Sequence, residues 1–244
     1  MNGVEIQVKL WPARPTFTLM TDSKDREYKI VITEAILKVC KINLSPSVSL
    51  AHAEMLTQSP AKYPFERTDI KSFNIASGSF SFCTEDLYQG AIPSRLILGL
   101  VKSAAYNGSY ELNPFNFIHA NCNSIAVYLD DDSVPAQPLK PNYANMNFMS
   151  AYHTLFTALN KDGKNEGNDI ARDEYDRGYT LYAFEVLPSL STMTGEMQQF
   201  PLIRRGNLKV DLSFQQALTE NVTLIAVGKF PDMIQIDSTR NIVV

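Results

Sequence analysis

Apolar and polar residues alternate with a period of two over most of the chain. At the N-terminus Val4, Ile6, Val8 and Leu10 are separated by Glu5, Gln7 and Lys9, which predicts a half-buried strand. The cleanest alternation sets Leu208, Val210, Leu212 and Phe214 against Lys209, Asp211 and Ser213. Residues 28–42 differ, because both parities are apolar: Ile30, Ile32, Ile36, Cys40 and Ile42 on one, Val31, Ala35, Leu37 and Val39 on the other. Such a run predicts a strand covered on both faces. Further strands are predicted over 69–75, 80–83, 95–102, 124–130, 179–187, 208–214, 222–230 and 233–237. One segment has helical spacing: Met149, Tyr152, Leu155, Phe156 and Leu159 recur at steps of three and four, with Ser150 or Asn147 available as a cap. This predicts one short helix packed on the sheets, and His52 to Leu56 adds a shorter turn of helix before Pro60.

Between these runs lie turn dipeptides such as Asn107-Gly108, Asn113-Pro114 and Asp162-Gly163, with 13 prolines spread along the chain. Residues 161–177 are the most charged stretch and read as an exposed excursion between strands. No internal repeat or low-complexity linker divides the chain. About ten strands of uneven spacing, one helix and long loops predict an all-β fold, an antiparallel β-sandwich of the jelly-roll kind.

Composition narrows the chemistry. The 244 residues carry 22 basic and 26 acidic side chains, a net charge of −4, so bulk attraction to nucleic acid is not expected. The N-terminus has no basic region followed by an apolar run, so it does not read as a secretory signal. The longest apolar stretch, 96–101, is far short of a membrane span. Cys40, Cys83 and Cys122 form an odd, widely spaced set, which fits buried thiols in a reducing compartment. Without an export signal, the sequons at Asn107 and Asn221 are expected to stay unmodified.

Candidate sites are sparse. His119 and Cys122 make half of a zinc site, and no second short-spaced pair completes it. His52 with Glu54, and His153 on the helix, lack a metal-binding or catalytic pattern; His153 is expected to find one hydrogen bond. Asp130, Asp131 and Asp132 offer oxygen ligands for calcium, but their place after a strand and before Pro135 favours a solvated turn. The loop from Asp162 has Gly167 and Asp173 at calcium-loop spacing, but Lys164 stands where an oxygen ligand belongs. There is no GxSxG, no GxxxxGK[ST] and no GxGxxG after a strand. Tyr106, Tyr110, Phe115 and Phe117 are expected to be buried under a loop rather than to form a stacking surface. No catalytic, cofactor-binding or metal site is expected.

Several ordered stretches resemble one family. They are Ser45-Pro46-Ser47-Val48, Ala51-His52-Ala53-Glu54-Met55-Leu56, Ala61-Lys62-Tyr63-Pro64, Asn107-Gly108-Ser109-Tyr110 and Asn113-Pro114-Phe115-Asn116-Phe117. Asn165-Glu166-Gly167-Asn168-Asp169-Ile170, Arg172-Asp173-Glu174, the run from Gly178 to Phe184 and Arg205-Gly206-Asn207-Leu208 continue the series. Together they resemble the major capsid protein, or hexon, of Polinton (Maverick) elements and adintoviruses.

The resemblance implies a double jelly-roll capsid protein of the adenovirus hexon lineage, in which three chains make a pseudo-hexagonal capsomer. It also implies lateral contacts to neighbouring capsomers and to minor capsid proteins, a place in the virion, and no enzymatic role. Residues 21–244 would be the second jelly-roll, and residues 1–20 the last strand and connector of a first one. Residues 113–117 and 165–173 are expected to be loops tied down by local hydrogen bonds. Competing readings are a carbohydrate-binding sandwich, disfavoured by a single Trp, Trp11, and a metal-assisted enzyme at His119 and Cys122.

Overall fold

A computed structural model describes residues 7–22, 28–187 and 204–243. Alternating residues of each strand meet across the interior of two stacked sheets. Leu208, Val210, Leu212 and Phe214 of β7 (Leu208–Phe214) are all buried, as the sequence pattern requires. They pair in register with Leu129, Val127, Ile125 and Cys122 of β4 (Cys122–Leu129). Facing them are Leu96, Leu98 and Leu100 of β3 (Arg95–Lys102), Leu224 and Ala226 of β8 (Val222–Ile236), and Tyr182 and Phe184 of β6 (Leu181–Glu185).

The remaining strands are β1 (Ala61–Ile75), β2 (Ser81–Thr84), β5 (Asp132–Ser133) and β9 (Ile242–Val243). One sheet has the order β1-β8-β3-β6, with β9 added on β8, and the other β2-β7-β4-β5. All strand pairings are antiparallel. Eight strands that pair first with eighth, third with sixth, second with seventh and fourth with fifth make a jelly-roll. The all-β jelly-roll sandwich expected from sequence is therefore the fold of this chain.

Among the described residues, five helices accompany the strands: α1 (Pro15–Thr18), α2 (Pro46–Gln58), α3 (Ser103–Asn107), α4 (Met149–Ala158) and α5 (Arg172–Tyr175). α4 is the helix read from the spacing of Tyr152 and Leu155, both buried. Its N-cap is Phe148, with no side-chain cap, so neither Ser150 nor Asn147 serves as predicted. The helix lies along the free edge of β6, where Thr154 Oγ1 accepts the Ala183 N–H at 3.3 Å. An edge strand is thereby covered.

Several expectations need correction. The turn read at 52–56 is the middle of a 13-residue helix, α2. Two strands read at 222–230 and 233–237 are one, because Pro231 falls just beyond Lys229, the partner of the first β3 residue Arg95. A proline there removes no hydrogen bond to a third strand. Of the N-terminal strand, Val4 and Ile6 lie outside the described residues, while Val8 and Leu10 are exposed and outside any strand. The strand read at 28–42 is not formed: the segment is extended coil, exposed at every position. The period was legible, but a strand also needs a partner ladder, and among the described residues no strand pairs with this segment. Cys40 and Cys83 are exposed, and only Cys122 is buried as expected.

Candidate assembly surface

Residues 28–44 cross the surface with their apolar side chains in solvent. Val31, Ile32, Ile36 and Leu37 are each 64–68% exposed, and Ile42 is 80% exposed. Only the ends are tethered. At one, the Tyr28 ring meets the Tyr110 ring edge-on at 5.9 Å, and the Tyr110 hydroxyl donates to the Tyr28 carbonyl at 3.4 Å. At the other, Leu44 leads into α2, a helix with no buried residue, whose Pro46 sits in its first turn with fixed φ.

α2 stands over the tip of the β1–β8 ribbon, where β9 adds a short third strand at Gln235 and Ile236. β1 and β8 pair along their whole length, from Ile75↔Val222 to Ala61↔Ile236, whereas β3 accompanies β8 only as far as Lys229. Between helix and ribbon tip is an open cavity of about 420 Å³ lined by Leu44, His52, Met55, Leu56, Tyr63 and Ile236 among others. Its walls are mostly apolar, with His52 and Arg240 also among the lining residues.

The outer face of the first sheet is a second apolar area. Register aligns Ile70, Val227, Ile97 and Ala183 in one row, and Ser72, Ile225, Gly99 and Leu181 in the next. Residues paired across antiparallel strands share a face. Ile70 is 62% exposed and Ile97, Ile225 and Val227 are half-buried. Gly99 lets the Phe117 ring approach this face: a Cβ at Gly99 would stand 2.7 Å from Phe117 Cδ1.

The predicted aromatic cluster splits. Phe117 is half-buried, bridging to Gly178 and Tyr179, but Phe115 is 64% exposed and packs edge-on against Phe17 at 5.9 Å. Tyr106 is also exposed and donates its hydroxyl hydrogen bond to Ser72 Oγ at 2.9 Å. Burial under one loop is thus corrected to a loose rim, because the N-terminal segment around Phe17 covers only part of it. The loops singled out in the sequence are tied locally as expected. Asn113 Oδ1 accepts the Phe115 N–H at 2.9 Å, Asn168 Oδ1 accepts the Ile170 N–H at 3.2 Å, and Glu174 Oε2 accepts the Ala171 N–H at 3.2 Å. The charged excursion is anchored by Tyr175, which is fully buried and donates to the Leu181 carbonyl at 2.8 Å.

His119 and Cys122 are joined through the backbone, the Cys122 N–H donating to the His119 carbonyl at 2.8 Å. His119 Nδ1 accepts the Asn121 N–H at 3.0 Å and its ring stacks on Tyr143 at 4.3 Å. Burial lowers the His119 pKa, against a smaller opposing pull from Asp176, and burial pushes the Cys122 thiol up to about 12. A thiol held neutral in this way is a poor nucleophile and a poor ligand. Asp130 to Asp132 form the solvated turn expected: Asp130 accepts from Arg204 Nη2 at 3.1 Å and from the Asn207 N–H at 2.8 Å. His153 Nε2 lies 3.2 Å from Asp162 Oδ1, the one hydrogen bond expected of it. Among the described residues, no group of three or more His, Cys, Asp or Glu side chains is placed to hold a metal ion, and no helix is long and apolar enough to cross a membrane.

No protein-family model matches the chain. The uncharacterized protein F54H12.2 of Caenorhabditis elegans is 26% identical over 249 residues, covering 100% of this chain and 58% of that protein. The chain therefore spans less than two thirds of the length of this relative. Among solved structures, a chain of the Sputnik virophage has a TM-score of 0.43 at 14% identity, covering 76% of this chain and 38% of that one. The mavirus major capsid protein has a TM-score of 0.41 at 8% identity, covering 76% of this chain and 41% of that one.

Proposed function

We propose that this chain is a structural building block of a viral or virus-like transposon capsid, the second jelly-roll of a double jelly-roll subunit. The observation that carries the reading is the strand order. The motifs in the sequence resemble Polinton and adintovirus capsid proteins and imply a jelly-roll, and residues 61–243 have jelly-roll topology in both sheets. A fold alone does not assign function, so the ordered sequence likeness is the other support. The exposed apolar surfaces agree with a subunit whose work is lateral contact.

In this reading three subunits form a pseudo-hexagonal capsomer that contacts neighbouring capsomers and minor capsid proteins within the virion. The chain performs no catalysis and does not read nucleic-acid sequence. The jelly-roll begins at Ala61, where β1 starts, and α2 and the residues before it join it to a first jelly-roll.

The test is to express the polypeptide from this gene together with any coding sequence upstream of Met1 and to examine it by analytical ultracentrifugation and electron microscopy. Trimers that assemble into shells or hexagonal arrays are the expected result. A protein that stays monomeric at every concentration and ionic condition overturns the reading.

A further inference from the structure

We infer that residues 28–42 are a β-strand of a second sheet, one built by polypeptide that precedes this chain, and that α2 is the joint between the two domains. Three observations point the same way. The segment is apolar at both parities, the pattern of a strand covered on both faces, yet it is exposed throughout. The sandwich of residues 61–243 already has all eight jelly-roll strands, and none of them pairs with this segment. The segment is also held extended between Tyr28 at Tyr110 and Leu44 beside the β1–β8 tip, rather than collapsed on the neighbouring surface.

The side on which the missing sheet lies follows from the connections. The C-terminal residues Ile242 and Val243 are paired with β8, whereas the bare strand lies N-terminal to α2. The C. elegans relative has room in size for a further domain: 58% of it is matched by this chain, which leaves a domain-sized remainder of that protein. Four charged side chains, Lys29, Glu34, Lys38 and Lys41, are too few to hold the segment in water by themselves, so its stable state is one in which a partner sheet supplies both a ladder and two apolar faces. The inference rests on the reading that a β-domain precedes this one, but not on that domain being part of a capsid.

The chain carries its own reporter. Cys40 lies on the bare strand, Cys83 is exposed on β2, and Cys122 is buried in the core. Iodoacetamide labelling followed by mass spectrometry compares the 244-residue chain with the polypeptide extended by its upstream coding sequence. In the short chain, Cys40 and Cys83 are expected to label at similar rates and Cys122 only on unfolding. In the extended protein Cys40 should slow by on the order of 100-fold or more while Cys83 is unchanged. Val39→Pro, which breaks a ladder but leaves a coil intact, should restore Cys40 labelling in the extended protein and change nothing in the short one.

Equal Cys40 and Cys83 rates in the extended protein overturn the inference, as does a reading frame that truly begins at Met1. Protection of Cys40 in the short chain that grows with concentration also overturns it, in favour of strand exchange between copies. Shell assembly with Cys40 still reactive sinks this inference and spares the capsid reading; a protected Cys40 without assembly does the reverse.

Discussion

Tyr143 and Tyr182 share one hydrogen bond between their hydroxyls at 2.7 Å, and both are buried. Burial pushes the pKa of each phenol above its ordinary value, so both stay neutral and the bond persists across the accessible pH range. Tyr182→Phe leaves the Tyr143 hydroxyl without this partner and is expected to cost about 1–3 kcal/mol. The Tyr143→Phe/Tyr182→Phe double variant should lose less than the sum of the two single changes, because both groups that needed the bond are then gone. Urea unfolding of the four proteins gives the cycle directly. His119, stacked on the same Tyr143 ring, adds a pH dependence. Its folded-state pKa is lowered by burial, so below the ordinary value of about 6.5 the unfolded chain binds the proton more readily than the folded one. Stability is therefore full above that pH and falls as the pH drops through the window beneath it. His119→Gln should flatten the part of the stability–pH profile just below neutrality, measured as denaturation midpoints from pH 7 to pH 5.

Individual elements were legible wherever a strand's own residues carry its periodicity and its partner lies within the chain. β3 and β7 have the same limits in sequence and structure, since Leu96 to Leu100 and Leu208 to Phe214 alternate against strands also present here. α4 was legible for the same reason, its apolar stripe meeting β6. The break read between 230 and 233 falls at Pro231, a residue type that ordinarily ends a strand, and only three-dimensional register shows that β3 has stopped by then. Residues 28–42 misled in a more informative way: local pattern reports what a segment is suited to, not whether its partner is present. The contrast can be measured. Ile36, 68% exposed, should tolerate Ile36→Lys within about 0.5 kcal/mol, whereas Leu98→Ala in the middle of β3 should cost about 2–5 kcal/mol. A destabilisation by Ile36→Lys of the same size as that of Leu98→Ala would mean that the segment is packed on this sandwich after all. The candidate surface itself was half legible: its apolar residues were visible, but sequence alone placed them inside.

At the scale of the whole molecule, the buried hydrophobic residues run from Ile75 to Ile236, and those before Ala61 contribute none of the core among the described residues. The described residues before Ala61 thus meet the sandwich only at its surface, as at Phe17 with Phe115 and Tyr28 with Tyr110. Fully burying an aliphatic side chain is worth about 1.5–3 kcal/mol, so the exposed Ile30, Val31, Ile32, Ile36, Leu37, Val39, Ile42 and Leu44 forfeit on the order of 10 kcal/mol or more. That is comparable to the net stability of an ordinary domain, about 5–15 kcal/mol, and supplies a strong drive toward any surface that can cover them. Two consequences can be read in one experiment. A chain starting at Ser59 keeps every strand of both sheets, so its cooperative thermal transition should lie within a few degrees of that of the full chain. The full chain should bind a hydrophobic dye and associate as concentration rises, and the shortened one should do neither to the same degree. A shortened chain that fails to fold would show that the N-terminal quarter contributes to the sandwich. If it folds yet associates as strongly, the sticky surface is the outer face around Ile70 and Val227 rather than the bare strand.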